Sequence, residues 1–432
     1  MKFRKLAALV LLLAAVVQLT ACGGGGTTQV TLPDDAGQVT VPDDAEQVTL
    51  PDDSGQITPI RTEVPQNTFA QAAADFSTAL LRQTHKTGEN TTLSPYSVMS
   101  ALAMTANGAD GETRSEMEAV LGLPLDELNS ALLALREQAG EELIAANSLW
   151  IRNDITVLPE FLQTTDAYYG AAVYQAPFDG GTVKEINDWI AAHTKDRIRD
   201  MLESLDPLTG VCLVNALTFD AKWASEFYEE FIWEEDFHAW DGTTQQVDMM
   251  HGTVYTYLSS DSATGFVKDY AGGRYSFVAL LPNENLRVED YVNQLDGTAL
   301  LDLMENRSDE KVDITMPRFK TEYKESLAKP LVSMGMPLAF DAENADFSRM
   351  VDTALPVYIG DVLHQTYVSV DGSGTEAAAA TIVSVTVGAT ALPEPEPEPK
   401  VVILDRPFVW LIWDEQEAQP IFIGVVNSVT AA

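Results

Sequence analysis

The stretch from residue 368 to residue 390 has the composition that most constrains what this chain can do. It reads VSVDGSGTEAAAATIVSVTVGAT. A polar turn over residues 371–374 leads into Thr375, Glu376 and four alanines, and an apolar β-branched run follows. Side chains this small could pass between the packed strands of a sheet, although alanine is a poor strand former. The same residues could instead form a short alanine helix that Thr375 caps, with Glu376 near its positive end.

Motifs of common catalytic sites are absent from the sequence. It contains no G-x-S-x-G elbow, no H-E-x-x-H, no C-x-x-C and no P-loop. The five histidines are scattered, and none lies beside a plausible nucleophile. We therefore expect no catalytic residues, no metal site and no cofactor, and the protein is not predicted to be an enzyme.

Four polar residues interrupt segments that otherwise have core composition, namely Ser94, Ser97, Asn215 and His364. If they are buried, they need hydrogen bonds to one another, because a buried polar group without a partner costs about 1–3 kcal/mol. Taken by itself, His364 also fits an ordinary core histidine with satisfied hydrogen bonds.

The N-terminus has the pattern of a secretory signal peptide. Three basic residues lie among the first five, an apolar run covers residues 6–17, and the segment ends in Leu-Thr-Ala-Cys at Cys22. The apolar run is too short to span a bilayer. Its ending resembles a bacterial lipobox, which predicts a lipoprotein signal peptide over residues 1–21 and lipid on Cys22. We therefore expect a secreted protein, anchored by lipid to the bacterial cell membrane on its extracellular face.

Cysteine content and charge narrow the possible partners. The second cysteine, Cys212, is predicted to be a buried thiol, so no disulfide framework follows. The formal net charge of −39 disfavours nucleic acid, heparin-like polyanions and anionic lipid headgroups. Any membrane association is therefore expected to come from the lipid on Cys22.

A nine-residue repeat follows four glycines after Cys22. Its copies are QVTLPDDAG from Gln29, QVTVPDDAE from Gln38 and QVTLPDDSG from Gln47. The paired aspartates could suggest calcium, but we interpret residues 22–65 as a solvated, self-repelling acidic tether. Fully extended, it would reach on the order of 100 Å.

Residues 66–432 show no internal composition shift and are predicted to form one domain. Helical patterning dominates its first part, and strand-like runs such as GVCLVNALTF and PFVWLIW follow. This order predicts an α+β fold built around large antiparallel sheets.

Several motifs occur in this domain in a specific order. They are NTTLSPYSV from Asn90, INDWI from Ile186, LVNA from Leu213, KW at Lys222, MPRF from Met316, MGM from Met334 and DRPF from Asp405. Together with the alanine-rich segment, they resemble the serpin family of serine protease inhibitors over about 360 residues. The resemblance implies three β-sheets with a large central one, about eight or nine helices, and an exposed reactive-centre loop over about residues 371–400.

The resemblance also assigns roles to residues. The hinge of the loop would comprise Gly374, Thr375, Glu376, Ala377, Ala378, Ala379, Ala380 and Thr381. The shutter and breach, where two central strands part to admit the loop, would comprise Ser94, Ser97, Asn215, Trp223 and His364. Many serpins carry a glutamate where this chain has Gly372, so the restraint on the hinge is expected to differ here.

The implied activity is inhibition as a suicide substrate, in which the cleaved loop enters the sheet while the protease is still an acyl-enzyme. The spacing usual in the family puts the reactive bond between Gly388 and Ala389, with a shift to Val387 or Thr390 left open. These small residues favour an elastase-like or subtilisin-like serine protease as the partner of a monomeric inhibitor. Pro393–Pro399 alternates Pro and Glu and is predicted to be a stiff spacer. The alternative is a non-inhibitory serpin that acts as a surface binding or structural module.

Overall fold

Helices fill the first part of the domain and strands dominate the rest, as the patterning predicts. A computed structural model describes residues 46–48, 57–205, 210–375 and 398–429, and only the backbone at positions 145, 146, 215 and 216. All the described residues belong to one compact unit that begins at Val41. Within them, no helix is both long and apolar enough to cross a membrane.

Nine α-helices occur in the described part of the chain. They are α1 Gln66–Thr84, α2 Pro95–Ala106, α3 Gly111–Leu121, α4 Leu125–Gln138, α5 Pro159–Thr164, α6 Gly180–His193, α7 Val288–Gln294, α8 Gly297–Glu305 and α9 Ala328–Met334. A π-helical turn over Thr165–Tyr169 extends α5, and 3-10 turns lie at Glu229–Phe231 and Leu338–Phe340.

The helix α2 shows how sequence sets both an end and a location. Its N-cap is Ser94, whose hydroxyl accepts from the Ser97 N–H, and Pro95 occupies the first helical position, where it loses no hydrogen bond. Every residue of α2 is buried. A helix that is buried on all sides must lie inside the domain, and α2 lies against β-strands of both large sheets.

The strands number nineteen in the described residues. They are β1 Glu46–Gln47, β2 Thr91–Leu93, β3 Leu143–Arg152, β4 Thr156–Val157, β5 Ala172–Ala176, β6 Val211–Phe219, β7 Ala221–Lys222, β8 Ile232–His238, β9 Thr244–Ser259, β10 Ala263–Asp269, β11 Tyr275–Pro282, β12 Ser308–Pro317, β13 Phe319–Ser326, β14 Val351–Asp352, β15 Ile359–Val370, β16 Gly374–Thr375, β17 Lys400–Ile403, β18 Phe408–Asp414 and β19 Gln419–Val426.

These strands form three sheets. The central sheet has eight strands in the order β1-β5-β3-β6-β15-β16-β7, with β13 also paired to β15. The second has nine, in the order β17-β12-β9-β10-β11-β18-β19-β2, with β8 on β9, and the third is the pair β14-β4. The predicted α+β fold, its three sheets and the expected number of helices are confirmed.

The two faces of the central sheet are covered differently. One face joins the main core, to which β6 contributes Leu213 and Leu217. On the other face, α6 packs Ile186 and Trp189 in a separate apolar cluster that includes Cys212 of β6. The thiol of Cys212 is buried and free, as predicted, and burial raises its pKa to about 12.

Two short parts of the predicted tether contact the domain. Residues 46–48 run along the outer edge of β5, and the segment from residue 57 to α1 lies against α4 and the π-helical turn. Its backbone N–H groups at Ile60 and Thr62 donate to Tyr168 Oη at 2.8 Å and to Ser130 Oγ at 2.9 Å.

Candidate functional site

The central sheet is closed at one end and parted at the other. The strands β6 and β15 pair in parallel from Val211 and Ile359 up to Leu217 and Thr366, where their pairing stops. Beyond that point, β16 lies between the two sides, paired with β15 through Val370 and with β7 through Ala221 and Lys222. The first two hinge residues, Gly374 and Thr375, therefore already form a strand at the open end.

A tight turn delivers the hinge to this position. The carboxylate of Asp371 accepts from the N–H groups of Ser373 at 2.7 Å and Gly374 at 3.1 Å, which is the Asx-turn arrangement typical of aspartate. The Asp371 N–H donates to the Gly374 carbonyl at 2.9 Å. Glycine is required at 374, because a Cβ there would collide with the carbonyl oxygen of Ala221.

Thr375 enters a pocket in the core. Its side chain is fully buried, and its Oγ1 shares a hydrogen bond of 2.5 Å with Tyr270 Oη. Burial raises the pKa of Tyr270, so the phenol keeps its proton. The pocket fits a small residue with a hydroxyl group.

Trp223 joins this pocket to the turn. Its indole stacks on Tyr270 with ring centroids 4.4 Å apart, and its Nε1 donates to the carbonyl of Asp371 at 2.9 Å. The ammonium of Lys268 lies over the rings of both Trp223 and Phe227 and donates to the Ser225 carbonyl at 2.6 Å. Burial lowers the pKa of Lys268 to about 8.

Gly372, the position at which many serpins carry a glutamate, lies beside an arginine that is already paired. A Cβ at 372 would be 3.0 Å from the Phe227 carbonyl oxygen and 3.5 Å from Arg318 Nη2. Arg318 instead forms ion pairs with Glu229 at 2.5 Å and Asp248 at 3.4 Å. The turn itself is held by the Phe227 N–H, which donates to the Gly372 carbonyl at 2.8 Å.

Lower in the sheet, the predicted shutter residues meet as neighbours. The Ser94 N–H donates to Nε2 of His364 at 3.1 Å, and Ser94 Oγ donates to the Ile421 carbonyl at 2.9 Å. Ser97 joins through its N–H, which donates to Ser94 Oγ at 3.3 Å. Burial lowers the pKa of His364 to about 3, so its ring is neutral. Because Nε2 accepts the Ser94 N–H, the ring proton lies on Nδ1. In register, His364 lies opposite Asn215 of β6, whose side chain is outside the described residues.

Three threonines extend this polar seam and were not recognised in the sequence. Thr366 Oγ1 donates to the Thr92 carbonyl at 2.8 Å, and Thr92 Oγ1 donates to Thr321 Oγ1 at 2.8 Å. All three are buried. Thr366 could have been added to the predicted polar network, because it follows His364 by two positions on an apolar strand and so lies on the same face of the sheet. Tyr270, which contacts Thr375, had no comparable signal.

The remaining predicted site residues lie outside the described part of the chain. They are Cys22, the hinge residues Glu376, Ala377, Ala378, Ala379, Ala380 and Thr381, and the residues around the reactive bond, Val387, Gly388, Ala389 and Thr390.

Comparison with known proteins supports what this geometry indicates. The family model described as serpin (serine protease inhibitor) matches residues 71–429. The chain belongs to the serpin family. An uncharacterised serpin-like protein of Thermococcus kodakarensis is 32% identical over 374 residues, which is 84% of this chain and 86% of the relative.

Solved serpin structures match as well. The native state of tengpin, a thermophilic serpin, is 37% identical with a TM-score of 0.82 and covers 89% of this chain and all of its own. The latent state of tengpin gives 0.75 at 35% identity, over 86% of this chain and all of its own. Thyroxine-binding globulin with thyroxine gives 0.73 at 26% identity, over 84% of this chain and 99% of its own. Serpins are generally protease inhibitors rather than enzymes. Over the whole chain, this serpin is more similar to the native than to the latent tengpin.

Proposed function

We propose that this serpin inhibits serine proteases as a suicide substrate, by inserting its cleaved loop into the central sheet. The observation that carries the proposal is the strand β16, which is paired on both sides at the open end of the parted sheet. Loop insertion is a recognised serpin transition. Here the first residues of the hinge are already in register with the strands that would receive the rest.

The register of β16 extends consistently into the closed half of the sheet. Thr375 is opposite Val370 on one side and Ala221 on the other. If β16 continued antiparallel to β15 and β6 for four residues beyond Thr375, Ala379 would lie opposite Thr366 and Leu217. These two residues are already partners of each other in the β6–β15 pair. An inserted strand that continues β16 can therefore pair with β6 and β15 in place of their pairing with each other, with no shift in register on either side.

The same register sets how much loop the sheet can take up. The first residue of β6, Val211, lies ten positions before Ala221, so it would be opposite Val385. A reactive bond at Gly388–Ala389 would then leave about three residues beyond the sheet, carrying the protease at the far end. This register supports the proposed bond.

Side-chain size also fits insertion. Because Thr375 points into the core, alternation along a strand would bring Ala377, Ala379 and Thr381 to the same face. Glu376 would point to the opposite face, in register with Ser369 and Asp220, which are both partly exposed, so its charge would avoid full burial. The small aliphatic residues around Gly388 favour proteases with shallow pockets, of the elastase or subtilisin type. We further propose that the inhibitor acts outside the cell as a lipoprotein anchored through Cys22.

The test is complex formation with the chain from Gly23 onward, which retains the segments docked on the domain. It is mixed with pancreatic elastase, and in parallel with subtilisin, and run on a denaturing gel. We expect a band at the summed mass that survives boiling, and a released fragment that begins at Ala389 by mass spectrometry.

If both proteases cleave the protein without forming a complex, this choice of target is contradicted. Thermal unfolding of the cleaved product then tests whether the loop still inserts. A large rise in its melting temperature would keep loop insertion and move the search to another protease. No rise would overturn inhibition and favour the surface binding module.

A further inference from the structure

A buried lysine lies behind the turn that leads into the hinge. Lys268, on β10, is only 6% exposed, although lysine is almost never buried without strong contacts. Removing a charge from water is costly, and a methionine of similar length would fill the same space without that cost. The contacts of the ammonium therefore show what its charge stabilises.

Three contacts of this ammonium are to one short segment, residues 223–227, which we call the clamp. Its Nζ lies 4.4 Å from the ring centroid of Phe227 and 5.1 Å from that of Trp223. It also donates to the Ser225 carbonyl at 2.6 Å. A single cation thus contacts the first, middle and last residues of the clamp, and aromatic faces attract a cation most strongly when it is desolvated.

The same clamp holds the turn that leads into β16. Trp223 donates through its N–H to the Ser373 carbonyl at 3.0 Å and through Nε1 to the Asp371 carbonyl at 2.9 Å. The Phe227 N–H donates to the Gly372 carbonyl at 2.8 Å. The two aromatic residues that contact the ammonium are therefore the residues that bind three successive carbonyls of the turn.

We propose that Lys268 is a positioning residue of the hinge, whose ammonium holds the clamp in the shape that docks the turn and keeps β16 in place. This inference rests on the proposed inhibitory function, and it names the group that restrains the hinge in a chain with glycine at position 372. Insertion has to be faster than hydrolysis of the acyl-enzyme. A loose clamp therefore lowers the fraction of cleaved molecules that trap a protease.

The effect of the charge can be separated from the effect of packing. Lys268→Met keeps the length and the apolar stem of the side chain but removes the cation, whereas Lys268→Arg keeps a cation that can stack on the same rings. Lys320→Met is the matched control, because Nζ of Lys320 also lies over an aromatic ring of the central sheet, that of Tyr367 at 4.9 Å.

Hydrogen exchange of the full chain at pH 7, measured by mass spectrometry, tests the clamp without a protease. Burial lowers the pKa of Lys268 to about 8, so the amine is mostly charged at this pH. In Lys268→Met we expect exchange in peptides covering residues 222–228 and 370–375 to be about ten-fold faster, the size of one desolvated cation–π contact. Lys268→Arg and Lys320→Met should stay close to the parent.

Peptides from the buried strands β18 and β19 report on the rest of the domain and should exchange at the parent rate in every variant. Unchanged exchange at the clamp and the turn in Lys268→Met would overturn the proposal. An equal rise in Lys268→Arg would do so too, as would a rise shared with β18 and β19, because the charge would then have no specific role.

A second variant tests the contact from the side of the ring. Phe227→Leu keeps an apolar side chain and removes one aromatic face, so exchange at the turn should rise, by roughly three-fold. Added to Lys268→Met, it should cause little further rise, because the contact is already lost. Fully additive effects of the two changes would overturn the contact between cation and ring as the cause.

Titration of pancreatic elastase then connects the clamp with inhibition. We expect Lys268→Met to consume about two-fold or more inhibitor per protease inhibited, within the ten-fold loss of docked hinge, and Lys268→Arg to match the parent. Faster exchange in Lys268→Met with an unchanged titration would overturn the positioning role. A parent that forms no complex would count against the proposed function, whereas the exchange data would still decide whether Lys268 holds the clamp.

Discussion

The hydroxyl of Thr375 lies 2.5 Å from the phenol oxygen of Tyr270, and both side chains are buried. The two residues are 105 positions apart, and Tyr270 is itself stacked on Trp223. This contact holds Thr375, the second residue of the predicted hinge, inside the core. At the open end of the sheet, β16 is paired with β15 and β7.

Tyr270→Phe should release part of this restraint. The change leaves the buried hydroxyl of Thr375 without its phenol partner, at a cost of about 1–2 kcal/mol. We expect the unfolding temperature of the native state to fall by a few degrees, measured by calorimetry. Tyr275→Phe is the matched control, because its buried hydroxyl has no hydrogen-bond partner among the described residues. An equal fall in unfolding temperature in the two variants would show that the contact between Thr375 and Tyr270 does not stabilise the native state.

Thr375→Arg should convert the inhibitor into a substrate. Residue 375 is fully buried, so a guanidinium there carries a large desolvation cost. We expect each protease molecule to cleave about ten or more molecules of the variant before it is inhibited, as measured by titrating the protease with the variant. Little complex should be seen on a gel. Thr375→Ser keeps the hydroxyl and should stay close to the parent. An arginine variant that still traps protease in equal amounts would rule out insertion through this residue.

Acid should destabilise the native state through His364. Burial lowers its pKa to about 3, whereas the unfolded ring has a pKa of about 6.5. Unfolding therefore takes up a proton below about pH 6.5, and stability falls as the pH falls from there towards 3, by at most about 1.4 kcal/mol per pH unit. Above pH 6.5 the ring is neutral in both states and has no effect.

The measurement is the unfolding temperature between pH 7.5 and 4.5. We expect His364→Gln to flatten this dependence, and His238→Gln, at an exposed position, to leave it unchanged. A slope that is the same in all three proteins would show that other groups cause the acid sensitivity.

Gly372→Glu should not strengthen the breach in this chain. The new carboxylate would approach Arg318, which already pairs with Glu229 and Asp248, and its Cβ would press on the Phe227 carbonyl. We expect a destabilisation of about 1 kcal/mol, in the range of ordinary surface charge effects and mild strain.

A double-mutant cycle isolates the charge effect. Glu229→Gln alone should cost little, because Glu229 is mostly exposed, and together with Gly372→Glu it should recover part of the loss. Additive effects in thermal unfolding would mean that Glu229 and the new glutamate do not compete for Arg318.

Much of the fold could be predicted from the sequence because its signals are local. The cap at Ser94 with Pro95 marks the start of α2, and the apolar residues 408–413 lie in a fully buried strand. His364 and Ser94 were expected in one polar network, and they are hydrogen-bonded. Their roles as a shutter, the reactive bond and the lipid on Cys22 stay predictions.

By itself, the sequence determined the order of the motifs, the small side chains of the hinge and the buried thiol at Cys212, since each depends on residue type and spacing along the chain. Only the tertiary structure decided that the pairing of β6 and β15 ends at Thr366, that Tyr270 receives Thr375, and that Arg318 pairs with Glu229 beside Gly372. It also brought one repeat onto the edge of β5. These contacts join segments far apart in the chain, and their energies depend on three-dimensional packing that has no local pattern.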